Sequence, residues 1–162
     1  MSRWGNVDFE AFKQLRASLE RAVNGGIDDL CERCAKKLAA QLLSMVIKRT
    51  PVKSGTLRRG WMAGKSPTGN GQVAARSNMQ VTKKGSVYEI VVYNSIKYAS
   101  YVEYGHRQEP GRFVPAIGKR LKASWVKGQF MLKISEQQLE AAAPGIIEKM
   151  VKPYLEDIFN GK

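Results

Sequence analysis

Apolar residues recur every three or four positions at the start of the chain. Phe9, Phe12, Leu15, Leu19 and Val23 fall on one face of a helix predicted over residues 8–23, with Asn6 or Asp8 as its cap. Asn24-Gly25-Gly26 predicts its end. A second helix is predicted from Ile27 to Lys48, carrying the stripe Ile27, Leu30, Cys31, Cys34, Leu38, Leu42, Met45 and Val46. Asp28 and Asp29 near its start and Lys48 and Arg49 at its end suit the helix dipole. Pro51 forbids continuation and pushes Thr50 towards an extended conformation.

The pattern then shortens. Ser86-Val87-Tyr88-Glu89-Ile90-Val91-Val92-Tyr93 is rich in β-branched and aromatic residues and reads as a strand. Met79-Gln80-Val81-Thr82 precedes it, and Lys83-Lys84-Gly85-Ser86 has the chemistry of a hairpin turn. Gly60-Trp61-Met62-Ala63 reads as another strand. No apolar residue occurs from Gly64 to Gly71, which predicts a loop. Asn94-Ser95 offers a cap for a short helix ending at Tyr104, with Gly105 just past its end and Tyr98, Tyr101 and Val102 facing one way. Residues 105–127, rich in Gly, Pro, Arg and Lys, hold either a short helix around Ile117 to Trp125 or an irregular arm. Gly128-Gln129-Phe130-Met131-Leu132-Lys133-Ile134 reads as a last strand. Ser135-Glu136-Gln137-Gln138 has the capping-box pattern, with Ser135 as N-cap. Pro144-Gly145 predicts a break in the helix that follows, and Pro153 a kink in its second segment.

These elements give an α+β fold, expected to be a single domain over residues 1–162. Two N-terminal helices (1–50) lead to a β-rich basic core (51–134) with a small, mostly antiparallel central sheet and loops at 64–72 and 105–127. A C-terminal helical region (135–162) closes the chain.

Composition adds boundaries. At 162 residues, 43% hydrophobic and 25% charged, the chain is of ordinary globular type. No apolar run approaches the roughly 20 residues of a membrane span. The first residues lack the apolar core of a signal peptide, so a cytoplasmic product is expected. The net charge of +13 is concentrated in the middle. Residues 36–130 hold 18 bases and 3 acids, whereas the flanking segments are near neutral. Such a block either attracts polyanions or forms a solvated basic face.

Catalytic chemistry is mostly absent. His106 is the single histidine. No G-x-S-x-G elbow, P-loop, dinucleotide fingerprint or zinc-deaminase signature occurs. Cys31 and Cys34 have CxxC spacing, but both lie within a helix already begun by acids. Apolar filler is the simpler reading, beside a metal or redox role. Glu103 and His106 could form an acid–base pair. Equally, His106 and Arg107 suit the end of a short helix, and the clustered Tyr, Trp and Arg suit a protein interface. Catalysis, metal and cofactor are not expected.

Two elements then become informative together. Thr50-Pro51-Val52-Lys53-Ser54-Gly55-Thr56-Leu57-Arg58-Arg59 resembles the "TPv-x-tGtLr" element of a phage tail-component family named for gene product ten of a lambdoid siphophage. Tyr98-Ala99-Ser100-Tyr101-Val102-Glu103-Tyr104-Gly105 resembles its "YA-x-YVE-aromatic-G" element. A third stretch, Trp125-Val126-Lys127-Gly128-Gln129-Phe130-Met131-Leu132-Lys133-Ile134-Ser135-Glu136, is similar to members from contractile-tailed prophages and tail-like particles. Together they cover roughly residues 27–140; residues 108–124 match nothing in the family.

The resemblance implies a structural virion protein of the head–tail junction or upper tail: a neck, collar or tail-completion component of a phage or tail-like particle. It implies a ring, commonly of six copies, around the DNA channel, assembled in the host cytoplasm. Implied neighbours are neck, connector, tube, sheath or terminator proteins, with no membrane. Tyr98, Tyr101, Glu103, Tyr104, His106, Arg107, Trp125 and Phe130 are the candidate subunit-interface residues. Arg58, Arg59, Lys65, Lys83 and Lys84 are candidates to face the lumen or a polyanion, and passing DNA would be met through its phosphates. A free nucleic-acid-binding protein using the central basic block is the alternative.

Overall fold

The computed structural model describes residues 9–64 and 79–159. Helix α1 (Phe9–Arg21) is not stopped by Asn24-Gly25-Gly26 as predicted: those residues lie in one π-helical turn, Ala22–Gly26, that leads straight into α2 (Ile27–Arg49). Gly25 has φ +111°, outside helical space, which only glycine adopts cheaply. The acids and bases predicted at the ends of α2 are there, and Leu30, Ala39, Leu43 and Val46 form its buried face. Thr50 is extended, with ψ 123°, as the following proline requires.

A short helix α3 (Thr56–Arg59) precedes β1 (Trp61–Gly64). Strand β2 (Thr82–Lys84) turns through Gly85 and Ser86 into β3 (Val87–Glu89), which confirms the hairpin. The predicted long strand divides at Ile90. Its second half, β4 (Val91–Asn94), leaves the hairpin and pairs antiparallel with β1, placing Trp61 opposite Asn94. One apolar run thus serves two ladders.

Helix α4 (Ala99–Tyr104) starts later than predicted. Asn94 does not cap it. Its side-chain oxygen instead accepts the Ile96 N–H at 3.0 Å, in a local turn. Gly105 ends α4 with φ +86°, as predicted. Residues 105–127 form neither the expected loop nor a helix around Ile117 to Trp125. They make an antiparallel ribbon: β5 (Gly105–Arg107) pairs with β8 (Trp125–Lys127), and β6 (Phe113–Val114) with β7 (Lys119–Arg120). Gln108 and Gly111 donate to Ser124 and Leu121 between the two ladders, at 2.9 and 2.8 Å. Among the described residues the strands therefore form four small antiparallel pairs in place of one central sheet.

Three C-terminal predictions are corrected. The last strand over residues 128–134 does not form, because Met131 already begins α5 (Met131–Phe159). Ser135 is not its N-cap. It lies one turn inside, fully buried, and its hydroxyl donates to the Met131 carbonyl at 2.7 Å. Pro144-Gly145 does not break the helix, which runs through both Pro144 and Pro153. A proline removes one helical hydrogen bond locally. Helix α5 packs on α2 and α1, and tertiary contacts of that kind support a helix beyond its local propensity.

The core lies where α2, β1, β4 and the start of α5 meet: Leu43, Val46, Leu57, Trp61, Ala63 and Met131. Each large member contributes about 1.5–3 kcal/mol through burial. No helix among the described residues is long and apolar enough to cross a membrane.

Candidate functional site

The three stretches singled out in the sequence meet around the core. In the first, Thr50 is 1% exposed and its hydroxyl has two partners. It donates to the Val46 carbonyl at 2.7 Å and accepts the Trp61 indole N–H at 2.8 Å. The Arg58 guanidinium reaches the Thr50 carbonyl at 3.2 Å. The threonine-proline pair thus ends α2 and fastens β1 to that end.

The second and third stretches lock together. Gly105 and Gly128 abut, backbone against backbone. A Cβ on Gly105 would sit 2.4 Å from the Val126 carbonyl, and one on Gly128 would sit 2.3 Å from the Glu103 carbonyl, so neither position admits a side chain. The Gln129 N–H bonds to the Val102 carbonyl at 2.8 Å and the Phe130 N–H to the Glu103 carbonyl at 3.0 Å. Phe130, with φ 49°, turns the chain into α5. Glu103 is 5% exposed, and its carboxylate caps α5 from outside the helix. It accepts the Leu132 N–H on both oxygens, at 3.1 and 3.0 Å, and the Lys133 N–H at 3.1 Å. A carboxylate at the N-terminus of a helix satisfies orphan donors and complements the dipole.

The first and second stretches also form the two walls of an open groove of about 330 Å³. Pro51, Val52 and Leu57 face Tyr98 and Val102, with Lys53 at the rim. The family model described as a bacteriophage HK97-gp10 tail component matches residues 13–105, more than half of the chain. The chain belongs to this family. No curated protein and no solved structure matches it. The matched span of this HK97-gp10-like protein runs from α1 to the glycine after α4. The ribbon and α5 lie beyond it.

Of the residues proposed from the sequence of this tail component, four aromatic rings lie exposed near the α4–ribbon junction. Tyr98 is 44% exposed, Tyr101 59%, Tyr104 62% and Trp125 53%. Arg107 is exposed and paired across the ribbon with Trp125, whereas Phe130 is half-buried. His106 is also half-buried. Its ring meets Tyr101 edge-on at 5.7 Å, and its Nε2 lies 3.4 Å from the Gln108 amide nitrogen. The structure does not pair Glu103 with His106: the carboxylate is committed to α5.

The candidate lumen residues divide. Lys83 pairs with Asp28 at 2.5 Å, and Lys84 pairs with Glu89 at 2.9 Å. Arg58 and Arg59 reach the backbone carbonyls of Thr50 and Ser54. Lys65 lies outside the described residues, as does the predicted 64–72 loop beyond Gly64. Asp28 also accepts the Tyr88 hydroxyl, so it fastens the β2–β3 hairpin to the start of α2. The Lys83 bond, then the Tyr88 bond, hold the Asp28 carboxyl below its usual range. The Asp28 partner raises both Lys83 and Tyr88.

Cys31 and Cys34 are half-buried free thiols. Burial, with the neighbouring Cys31, pushes the Cys34 thiol up, opposite to what a reactive thiolate requires. Among the described residues no three His, Cys, Asp or Glu side chains converge on a possible metal position.

The sequence reading passed over two surface features. Phe113, near the ribbon tip, is 52% exposed, and its cross-strand partner is Arg120. Ile147, Leu155 and Phe159 form a bare stripe on α5, the last of them 70% exposed. The four-residue spacing of Ile147, Val151, Leu155 and Phe159 was the available signal for the stripe. Phe113 had none, because its surroundings carry no periodicity.

Proposed function

We propose that this tail component is a non-catalytic structural subunit of the head–tail junction or upper tail. In this reading it acts as a neck, collar or tail-completion protein and closes into a ring of six around the DNA channel. One observation supports it most: the ring of exposed Tyr98, Tyr101, Tyr104 and Trp125 beside Arg107 at the α4–ribbon junction. Soluble monomers seldom present such a concentration of large rings, and interfaces are enriched in Tyr, Trp and Arg. A closed cyclic assembly joins one patch to a different patch on the neighbour, so each subunit needs two such surfaces. The stripe on α5 is an available second surface, whereas the groove between Pro51 and Val102 shares Tyr98 with the first.

Neighbouring neck, connector, tube, sheath or terminator rings are the expected partners above and below, with assembly in the host cytoplasm. DNA passing through the lumen would be touched, if at all, through phosphates. Mass photometry over a concentration series tests the reading. A rise from single chains to one closed oligomer is the expected result. A chain that remains single at every concentration, and fails to enter tails assembled in its presence, overturns it.

A further inference from the structure

The ribbon over residues 105–127 is the most basic element of the chain, and its residues 108–124 had no place in the sequence resemblance. It carries six bases, Arg107, Arg112, Lys119, Arg120, Lys122 and Lys127, against one acid, Glu109. All six bases are exposed. The hydrogen bonds described for residues 108–124 stay within residues 106–124, so its outer half is held by its own ladders. Near the tip, Phe113 is 52% exposed and shares its face of the ribbon with its cross-strand partner Arg120, whereas Val114 and Lys119 lie on the other face. An exposed ring beside an arginine has the composition of an interface hot spot.

Helix α5 presents the complementary surface. It holds five acids, Glu136, Glu140, Glu148, Glu156 and Asp157, against three lysines, and it is the one long helix with net negative charge. On its outer side a shallow apolar groove of about 280 Å³ is lined by Val151, Leu155 and Phe159 and rimmed by Glu148 and Glu156. Lys152 sits between the two glutamates on the same rim and partly offsets them. The apolar groove between Pro51 and Val102 carries Lys53 and no acid, so it repels a basic ribbon.

We infer that the ribbon of one copy docks on the outer face of α5 of the next, with Phe113 in the groove beside Val151 and Leu155 and with Arg120 and Lys122 facing Glu148 and Glu156. This rests on the ring reading and supplies it with two different patches, as a closed heterologous interface requires. Charge complementarity sets the register and the apolar contact holds it.

A charge swap tests the contact. Arg120→Glu with Lys122→Glu reverses that face of the ribbon; because the Arg120 guanidinium also holds the Gly111 carbonyl at 2.7 Å, Arg120→Gln is the control for loss of that bond alone. Glu148→Lys with Glu156→Lys reverses the groove. Mass photometry gives the assembly midpoint, and circular dichroism confirms that each variant is folded. Either pair alone is expected to raise the midpoint at least roughly ten-fold, and the four changes together to restore it, since like charges face each other only in the half-swapped proteins. Phe113→Ala should weaken assembly in either background. A ring unaffected by either pair, or not restored by the combination, overturns the inference and leaves the ring standing. A wild-type chain that never assembles overturns both. Should the ribbon reversal abolish binding to duplex DNA at low salt and leave the ring intact, the ribbon's partner is nucleic acid and the inference fails.

Discussion

Removing the Glu103 carboxylate should loosen the start of α5 more than any other single polar change. The carboxylate is 5% exposed and accepts two backbone N–H groups through three contacts of 3.0–3.1 Å. Hydrogen bonds to a charged acceptor contribute about 1.5–3 kcal/mol each. In Glu103→Ala the two donors are left beside a void into which water enters only partly, so a loss of about 3 kcal/mol is expected. For a chain of this size each kcal/mol shifts Tm by about 2–4 °C, giving a fall of roughly 6–12 °C. Glu103→Gln retains one acceptor oxygen and should lose about 1–1.5 kcal/mol. Urea unfolding followed by the fluorescence of buried Trp61 measures both. Hydrogen exchange at Leu132 and Lys133 localises the effect. A Glu103→Ala protein within about 0.5 kcal/mol of wild type, with those amides still protected, refutes the clamp.

Ser135→Ala should change stability by less than about 0.5 kcal/mol, since the hydroxyl bonds only to its own helix; a loss near 1 kcal/mol would restore Ser135 as the N-cap. Gly105→Ala should cost more than about 2 kcal/mol, because φ is +86° and a Cβ meets the Val126 carbonyl; a neutral result in thermal unfolding would contradict that packing. Asp28→Asn should speed amide exchange in β2 and β3. A carboxyl held below its usual value of 3.8 stabilises fully above that pH and loses the contribution as pH falls through its lowered value. Lys83, raised above 10.5, contributes fully below that pH and loses its share as pH climbs through the raised value. Hairpin protection should therefore be flat across neutral pH, and a step between pH 5 and 9 contradicts the pairing. Cys34 should react with a disulfide reagent more slowly than an unburied thiol at pH 8, its rate still climbing with pH where an ordinary thiol has levelled off; fast labelling at pH 7 would reopen a redox role.

Much of the α+β fold was legible because its signals are local. The dipole charges of α2, the Thr50-Pro51 stop, the Lys83-to-Ser86 turn and Gly105 after α4 each act within a few residues. The errors at the start of α5 share one cause. Where α5 begins depends on Glu103, about thirty residues upstream, and no pattern within residues 128–138 reports it. The Ser135-to-Gln138 box and the alternation Phe130, Leu132, Ile134 were persuasive only in isolation. Pro144 reads as a breaker on local grounds, yet the helix runs through it. The site was half legible. Its aromatic rings were found by composition, whereas the internal commitment of Glu103, Lys83 and Lys84 needed the fold.

The assembly itself is tested most directly by cryo-electron microscopy of the purified chain at tens of micromolar. Closed rings of six subunits are expected, with residues 98–107 and Trp125 within reach of the subunit contact and each ribbon reaching the neighbouring α5. Fields of isolated single chains at every concentration, or open filaments in place of closed rings, would contradict it.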